Sequence, residues 1–385
     1  MSMPILMKQV FLFDRKQIAG DKNSVIIDSL RPFLMLLVIF NHCTGEVGGV
    51  SLFSGLLQTF LGKIITLSAT SCFFLISGFL FFYRIDNINK NIINGKIKKR
   101  FYTLFLPYVL WNGLGIIALI GAKALSGKLL MEKIDLMQLL TYLWCNNQWA
   151  ADHSNILGWS TAMTGPVDLP LWYLRDLIVV TLFSPFIYRL VNNYSRGRLF
   201  IVIIGVLFIF NIWIQVPGFS AQAFFFWSIG AYLAINKLPI YPNCKTSSKL
   251  VGLLIVITLL PIVTGLKYKN ECVVLSDIFQ RVLTIVLVFV FIALSHRLSF
   301  KKQTCQWWSL LLSSTFFVYA IHAFPVLNPI AVVRYIVKYL PSCEVIAVLS
   351  YLMTPFIVYT LSVLTYAFIK KLAPKFTAVL SGGRK

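Results

Sequence analysis

Long apolar runs, each broken by little or no charge, recur along almost the whole of this chain. About 20 such residues suffice to cross a bilayer core as a helix, and a helix satisfies its own backbone polar groups there. About ten runs are recognisable, over residues 25–44, 63–83, 101–121, 169–190, 199–214, 221–236, 250–266, 278–295, 309–327 and 345–369. Several are short, so tilt or an interfacial stretch is expected in those. Composition agrees: of 385 residues, 58% are hydrophobic and 12% charged. A soluble domain has roughly a quarter of its residues charged, so an ordinary soluble enzyme is excluded. The same apolar content excludes a disordered chain. The expected fold class is all-α: a polytopic transmembrane helical bundle of about ten spans. It forms one domain over residues 24–371, between an N-terminal tail (1–23) and a C-terminal tail (372–385).

The net charge of +22 comes from 35 Lys and Arg against 13 Asp and Glu. A nucleic-acid-binding domain gathers basic residues on one face or arm. Here they form short clusters between apolar runs, as in a membrane protein whose loops are sorted by charge, and no nucleic-acid partner is expected. With the N-terminus inside, the segments Lys8–Lys22, Arg84–Arg100, Arg189–Arg198, Lys237–Lys249, Arg297–Lys302 and Lys370–Lys385 place 24 basic residues in the cytoplasm. Lys63, Lys123, Lys128, Lys133, Lys267, Lys269, Arg334 and Lys338 place eight outside, and Arg31, Arg175 and Arg281 lie within runs. That bias predicts an N-in, C-in orientation. Charged residues from Lys8 to Lys22 interrupt the N-terminus, which reads as a cytoplasmic tail with a short interfacial helix around Ile5 to Phe13 and not as a cleavable signal.

The longest outer segment, Ala122 to Asp168, carries Trp144, Asn146, Asn147, Gln148, Trp149, Asp152, His153 and Trp159. It is the main place for handling a polar substrate outside the bilayer, or else an interfacial aromatic belt. Seven cysteines form no spaced framework, and no Cys/His cluster suggests a metal.

Charged groups inside a span are costly and mark functional candidates. The first run holds Asp28 and Arg31 near its inner end and His42 near its outer end. Eleven residues separate Arg31 from His42, about 16 Å along a helix at ~1.5 Å per residue and close to three turns. One stripe therefore carries a cation low in the membrane and an imidazole at the far rim. The second run contains Phe73-Phe74-Leu75-Ile76-Ser77-Gly78-Phe79-Leu80, whose Ser77 and Gly78 allow close helix approach. Lys96, Lys98, Lys99 and Arg100 precede Pro107-Tyr108. They either anchor the loop in the cytoplasm or hold a phosphate-bearing ligand. Arg175 and Asp176, in Leu171-Trp172-Tyr173-Leu174-Arg175-Asp176-Leu177, are about 100° apart on a helix, so each is expected to find a partner on another element. Tyr319-Ala320-Ile321-His322 places a second histidine near the outer face.

These stretches together resemble the bacterial integral-membrane acyltransferase family 3, the membrane O-acyltransferases. Asp28-x-x-Arg31-x10-His42 is similar to that family's first helix, and Phe73 to Leu80 to its second-helix signature. Lys98-Lys99-Arg100 before Pro107-Tyr108 resembles its basic entry to the third helix. Leu171 to Leu177 resembles its "LWFLRDL"-type segment, and Tyr319 to His322 its late histidine motif. The matches follow the family's order from Asp28 to His322. Two positions depart from it: Thr103 stands where a second basic residue is often found, and Pro32 follows Arg31 where glycine is common, which would adjust the helix start.

The resemblance implies acyl transfer, usually of acetyl from cytoplasmic acetyl-CoA, to a hydroxyl of a surface polysaccharide or its lipid-linked glycan precursor. It also implies a multi-pass protein of the bacterial inner membrane. The residues suit that task. Lys96, Lys98, Lys99 and Arg100, with Arg31 deeper, would dock the donor's phosphates. His42 would be the general base, and Glu46, one turn on, would orient it if the helix continues. Trp172, Arg175, Asp176 and His322 would bind substrate or support the site. Either His42 activates the hydroxyl for direct attack on the thioester, or an acyl-enzyme forms; direct attack is favoured, because Cys43 points about 100° away from His42. The rival class is a transporter or flippase for a glycan or small polar solute, which would also combine many spans with buried charge.

Overall fold

The structure is a computed structural model that describes residues 22–43, 57–58, 61–62, 65–126, 136–154, 160–214, 216–242, 273–298, 306–326, 328–340 and 343–383. The expected N-terminal interfacial helix, Glu46, Trp159 and the run 250–266 lie outside the described residues.

The first half of the chain forms α1 (Lys22–His42), α2 (Leu67–Phe82) and α3 (Lys90–Arg100), then a π-helical turn (Phe101–Phe105) leading into α4 (Leu106–Leu125) and α5 (Leu136–Tyr142). A hairpin of β1 (Asn146–Ser154) and β2 (Ser160–Gly165) follows. The second half begins with a 3-10 turn (Leu169–Leu171), α6 (Trp172–Leu182), α7 (Ser184–Val191), α8 (Tyr194–Ile209) and α9 (Ala221–Ile235). It ends with α10 (Val273–Leu298), α11 (Gln306–Ile321), α12 (Pro329–Val337), α13 (Glu344–Leu372) and α14 (Pro374–Leu380).

The protein is thus overwhelmingly helical. Among the described residues, four helical stretches are long and apolar enough to cross a membrane: Asn23–His42, Lys90–Leu125, Asp277–Arg297 and Glu344–Leu372. Ser68–Phe82 and Ala221–Ile235 are apolar but shorter. The run 169–190 is not one helix. It is divided at Phe183, and Pro185 begins the second piece because a proline is tolerated in a first helical turn. The hairpin is an addition to the all-α expectation: β1 and β2 pair antiparallel, with an irregularity between Asn146 and Ala151. Pro32 does not set the start of α1, which begins at Lys22 and continues through it.

Local chemistry fixes several helix starts. Asn89, Asn193, Ser220 and Asn328 each accept a hydrogen bond from a backbone amide of the helix that follows, satisfying donors that a first turn leaves open.

The centre is the pair α2 and α9. A Cβ on Gly78 would collide with the Trp227 carbonyl, and one on Gly230 with the Leu75 carbonyl. The two helices therefore meet backbone to backbone through reciprocal glycines, as the Ser77-Gly78 step suggests. Gln222 Nε2 donates to Ser71 Oγ at 2.8 Å and Thr70 Oγ1 at 3.0 Å, so the two N-terminal ends coincide and the helices run parallel.

α1 runs antiparallel to α2. Thr66 bonds Asn41 at one end (3.2 Å), and Asn23 bonds the Tyr83 hydroxyl at the other (3.2 Å). Ser295 of α10 donates to the Ile26 carbonyl of α1 at 3.1 Å. The segment expected as a C-terminal tail instead turns back as α14. Trp111 Nε1 donates to the Leu380 carbonyl at 3.0 Å, and Gly382, at φ +65°, seats against the Thr103 backbone. Thr103, where a second cation was looked for, therefore lies beneath the returning chain.

Candidate active site

The two histidine-bearing helices end side by side. α1 terminates at His42 and α11 just before His322, and the two rings meet edge-on with centroids 5.0 Å apart. His42 is half-buried, whereas His322 is fully buried at 0% exposure. His322 Nδ1 lies 2.9 Å from the Tyr319 carbonyl and 3.2 Å from that of Val318. A carbonyl only accepts, so Nδ1 carries the proton, and in the neutral ring Nε2 keeps its lone pair. Nε2 is buried and has no hydrogen-bond partner among the described residues. Cys43, next to His42, is itself buried. Glu46 lies outside the described residues.

A file of aromatic rings leads away from the histidines. Tyr319 is 6.4 Å from His322, Tyr173 is 5.8 Å from Tyr319, and Phe74 is 4.5 Å from Tyr173, all between centroids. Trp172 borders the file, 6.5 Å from Phe74. The Tyr319 hydroxyl donates to the Pro170 carbonyl, which ties α11 to the 3-10 turn ahead of α6. The file therefore joins Phe74 of the second-helix signature, the Leu171–Leu177 motif and the late histidine motif into one structure.

At the other end of the file stand the cations. Arg100 lies within electrostatic range of both Tyr173 and Arg31, and Lys96 and Lys99 lie within range of Arg100. Residues 96, 99 and 100 share one face of α3, as i, i+3 and i+4 positions do. Lys98 points elsewhere and is exposed. Of the four basic residues expected on α3, the structure gathers Lys96 and Lys99 about Arg100, which in turn lies near Arg31, and leaves Lys98 on the exposed side. Lys96 Nζ donates to the Phe81 carbonyl at the end of α2 and sits 5.7 Å from the Phe81 ring. Arg31 pairs with Asp28 one turn back at 3.1 Å. Both side chains are about one-third exposed, so this pair is weak and easily exchanged for another anion. No acidic side chain among the described residues pairs with Arg100. Four cations thus lie in one region with a single carboxylate among the described residues, an excess of positive charge that an anion could offset.

Arg175 and Asp176 each find the expected partners on other elements, Arg175 at Trp144 and Thr164 and Asp176 at Ser220 and Gly218, and they also bond each other. Adjacent positions diverge at the backbone, yet the long arginine side chain folds back so that Nε meets Asp176 Oδ1 at 3.0 Å, with both groups 1% exposed. Arg175 Nη1 also donates to the Trp144 carbonyl at 2.8 Å and the Thr164 carbonyl at 2.7 Å. The pair thus clamps the two feet of the hairpin onto α6. Asp168, whose amide donates to Asn112 Oδ1 at 3.1 Å, is fully buried, and neither carboxylate oxygen has a hydrogen-bond partner among the described residues. Arg281, the third charge within a run, donates to the Phe208 carbonyl at 3.1 Å and lies over its ring, a structural role. Sequence reasoning did not single out Tyr173, Tyr319 or Asp168. Tyr173 and Tyr319 lie inside the quoted motifs and Asp168 three residues before one of them, and only the fold shows which of these side chains turn inward. Among the described residues, no three His, Cys, Asp or Glu side chains gather as a metal site would require.

The profile of the acyltransferase-domain family, acyltransferase 3, matches residues 25–380, a stretch that encloses both histidines and all four cations. The chain belongs to this family. The acyltransferase is also similar to the succinoglycan biosynthesis protein ExoH of Rhizobium meliloti (strain 1021), at 24% identity over 337 residues, 85% of this chain and 82% of that protein. No solved structure matches it. Family membership, with the apolar helices, makes this acyltransferase a membrane protein and does not favour the transporter reading.

Proposed function

We propose that this acyltransferase is a multi-pass O-acetyltransferase of the bacterial inner membrane. It moves acetyl from cytoplasmic acetyl-CoA to a hydroxyl of a surface polysaccharide or its lipid-linked precursor. The observation that carries the reading is the continuous arrangement of cation cluster, aromatic file and histidine pair. Arg31, Lys96, Lys99 and Arg100 take the donor's phosphates, and the extended pantetheine arm follows Tyr173 and Tyr319 toward the histidines. His42 removes the proton of the acceptor hydroxyl as its oxygen attacks the thioester carbonyl. The C–O bond forms, the C–S bond breaks, and the departing thiolate takes the proton from the His42 imidazolium.

The proposed ten-span, N-in and C-in arrangement, read from the bias of basic residues between segments, fits this division of labour. It puts the start of α1 and the whole of α3 on the donor side, and the ends of α1 and α11 on the acceptor side. A glycan acceptor fits the likeness to a succinoglycan biosynthesis protein. The test is transfer by purified protein from [14C]acetyl-CoA to a surface-glycan fraction stripped of its acyl groups with mild base. Labelled glycan together with free thiol is expected. Neither product forming with correctly inserted protein would remove the reading.

A further inference from the structure

From the geometry of the two rings we infer that His322 is a positioning residue that acts through His42. Its Nε2 accepts a hydrogen bond from the non-catalytic nitrogen of His42 and so holds that ring in the tautomer and orientation a base needs. The inference rests on the reading of His42 as the base and deepens it.

Three observations carry it. The rings touch, with centroids 5.0 Å apart. His322 Nδ1 is committed to the Tyr319 carbonyl at 2.9 Å, which leaves Nε2 as the acceptor. That Nε2 is the polar atom of a fully buried side chain and has no partner among the described residues. A buried acceptor without its hydrogen bond keeps the full cost of desolvation, so its retention calls for a donor. His42 is the neighbouring ring, and turning it about χ2 costs little, because that torsion is broad. Catalytic hydrogen bonds commonly tighten only with substrate bound. The relay is then acceptor hydroxyl, His42, His322 and the Tyr319 carbonyl. The proton taken from the hydroxyl stays on His42 until the thiolate leaves, and His322 keeps its own Nδ1 proton throughout. The logic is that of a serine-hydrolase triad, with a backbone-anchored imidazole in the place of the carboxylate.

The two halves of His322 can be removed separately. His322→Asn keeps a donor for the Tyr319 carbonyl but loses the acceptor at Nε2. His322→Gln places an amide oxygen near Nε2 and gives up the Tyr319 bond. Each is assayed as thiol release from acetyl-CoA in the presence of the base-treated glycan fraction, with thermal melting recorded alongside. A positioned base contributes about 10²–10⁴-fold. His322→Asn should therefore lose at least about tenfold in kcat with the acetyl-CoA KM unchanged, and His322→Gln should recover most of that loss. In a His42→Ala background, His322→Asn should cost little more, because the two act as one unit. Recovery by Asn and not by Gln would make His322 a structural anchor and overturn the inference. So would a full, independent loss in the His42→Ala background. A folded His42→Ala protein that stays active would instead remove the base assignment itself, which separates the two failures.

Discussion

Arg100 and Lys98 are two positions apart and chemically alike, yet the fold gives them opposite surroundings. Arg100 turns toward Arg31 and Tyr173, while Lys98 faces outward. Arg100→Gln should therefore raise the acetyl-CoA KM by about tenfold to 100-fold, the worth of a charge-assisted hydrogen bond of ~1.5–3 kcal/mol. Lys98→Gln should leave it within about twofold, the small effect of an exposed charge. Steady-state titration of donor for both variants checks this, and equal effects would mean that only net charge matters. The buried Arg175–Asp176 pair gives a stability prediction. Arg175→Met strands a buried carboxylate and two carbonyls, so melting should fall by the equivalent of about 3–5 kcal/mol. Arg175→Met with Asp176→Leu should recover part of that, because no uncompensated charge remains. Unchanged melting of the single variant would contradict the buried pairing.

At the scale of elements, α2 and α9 are the tightest contact, and it depends on glycine. Gly78→Ala puts a methyl group where the Trp227 carbonyl stands. Forcing backbones apart in a packed interior costs on the order of 1–3 kcal/mol, so the variant should melt measurably lower. Gly230→Ala should do the same, and the double variant should cost less than the sum, since one separation of the helices relieves both clashes. Additive losses would indicate two independent contacts. The Ser77-Gly78 step made this approach legible in the sequence, as apolar length made α1, α4, α10 and α13 legible. Other features were not legible, for physical reasons. A hairpin of polar and small residues from Asn146 to Gly165 carries little alternation to mark it as strand. Pro185 flags a break in the run 169–190 from the sequence; that the break falls two residues earlier, at Phe183, with the proline opening the next helix, is legible only in the fold. The direct Arg175–Asp176 bond is not legible because helical angles describe Cβ directions and not the reach of a long side chain, whereas their partners on other elements are as expected. The meeting of His42 with His322 is a long-range packing fact, and no local pattern reports it.

For the whole molecule, the proposal requires a donor end and an acceptor end on opposite sides of the bilayer. Cysteines placed at Asn94 and at Ser154 in a cysteine-free background should label from opposite faces. Labelling of both from one face would break the topology on which the path from Arg100 to His42 depends. Sidedness can also be joined to chemistry in a single measurement. The protein is reconstituted into vesicles sorted for orientation. [14C]acetyl-CoA is supplied only on the face bearing the termini, and base-treated surface glycan only on the other face. The account predicts label on the glycan across the membrane, and a loss of at least about 100-fold with His42→Ala, the lower bound for a positioned base. Wild-type protein that leaves the glycan unlabelled, or His42→Ala protein that labels it as fast as wild type, would contradict it.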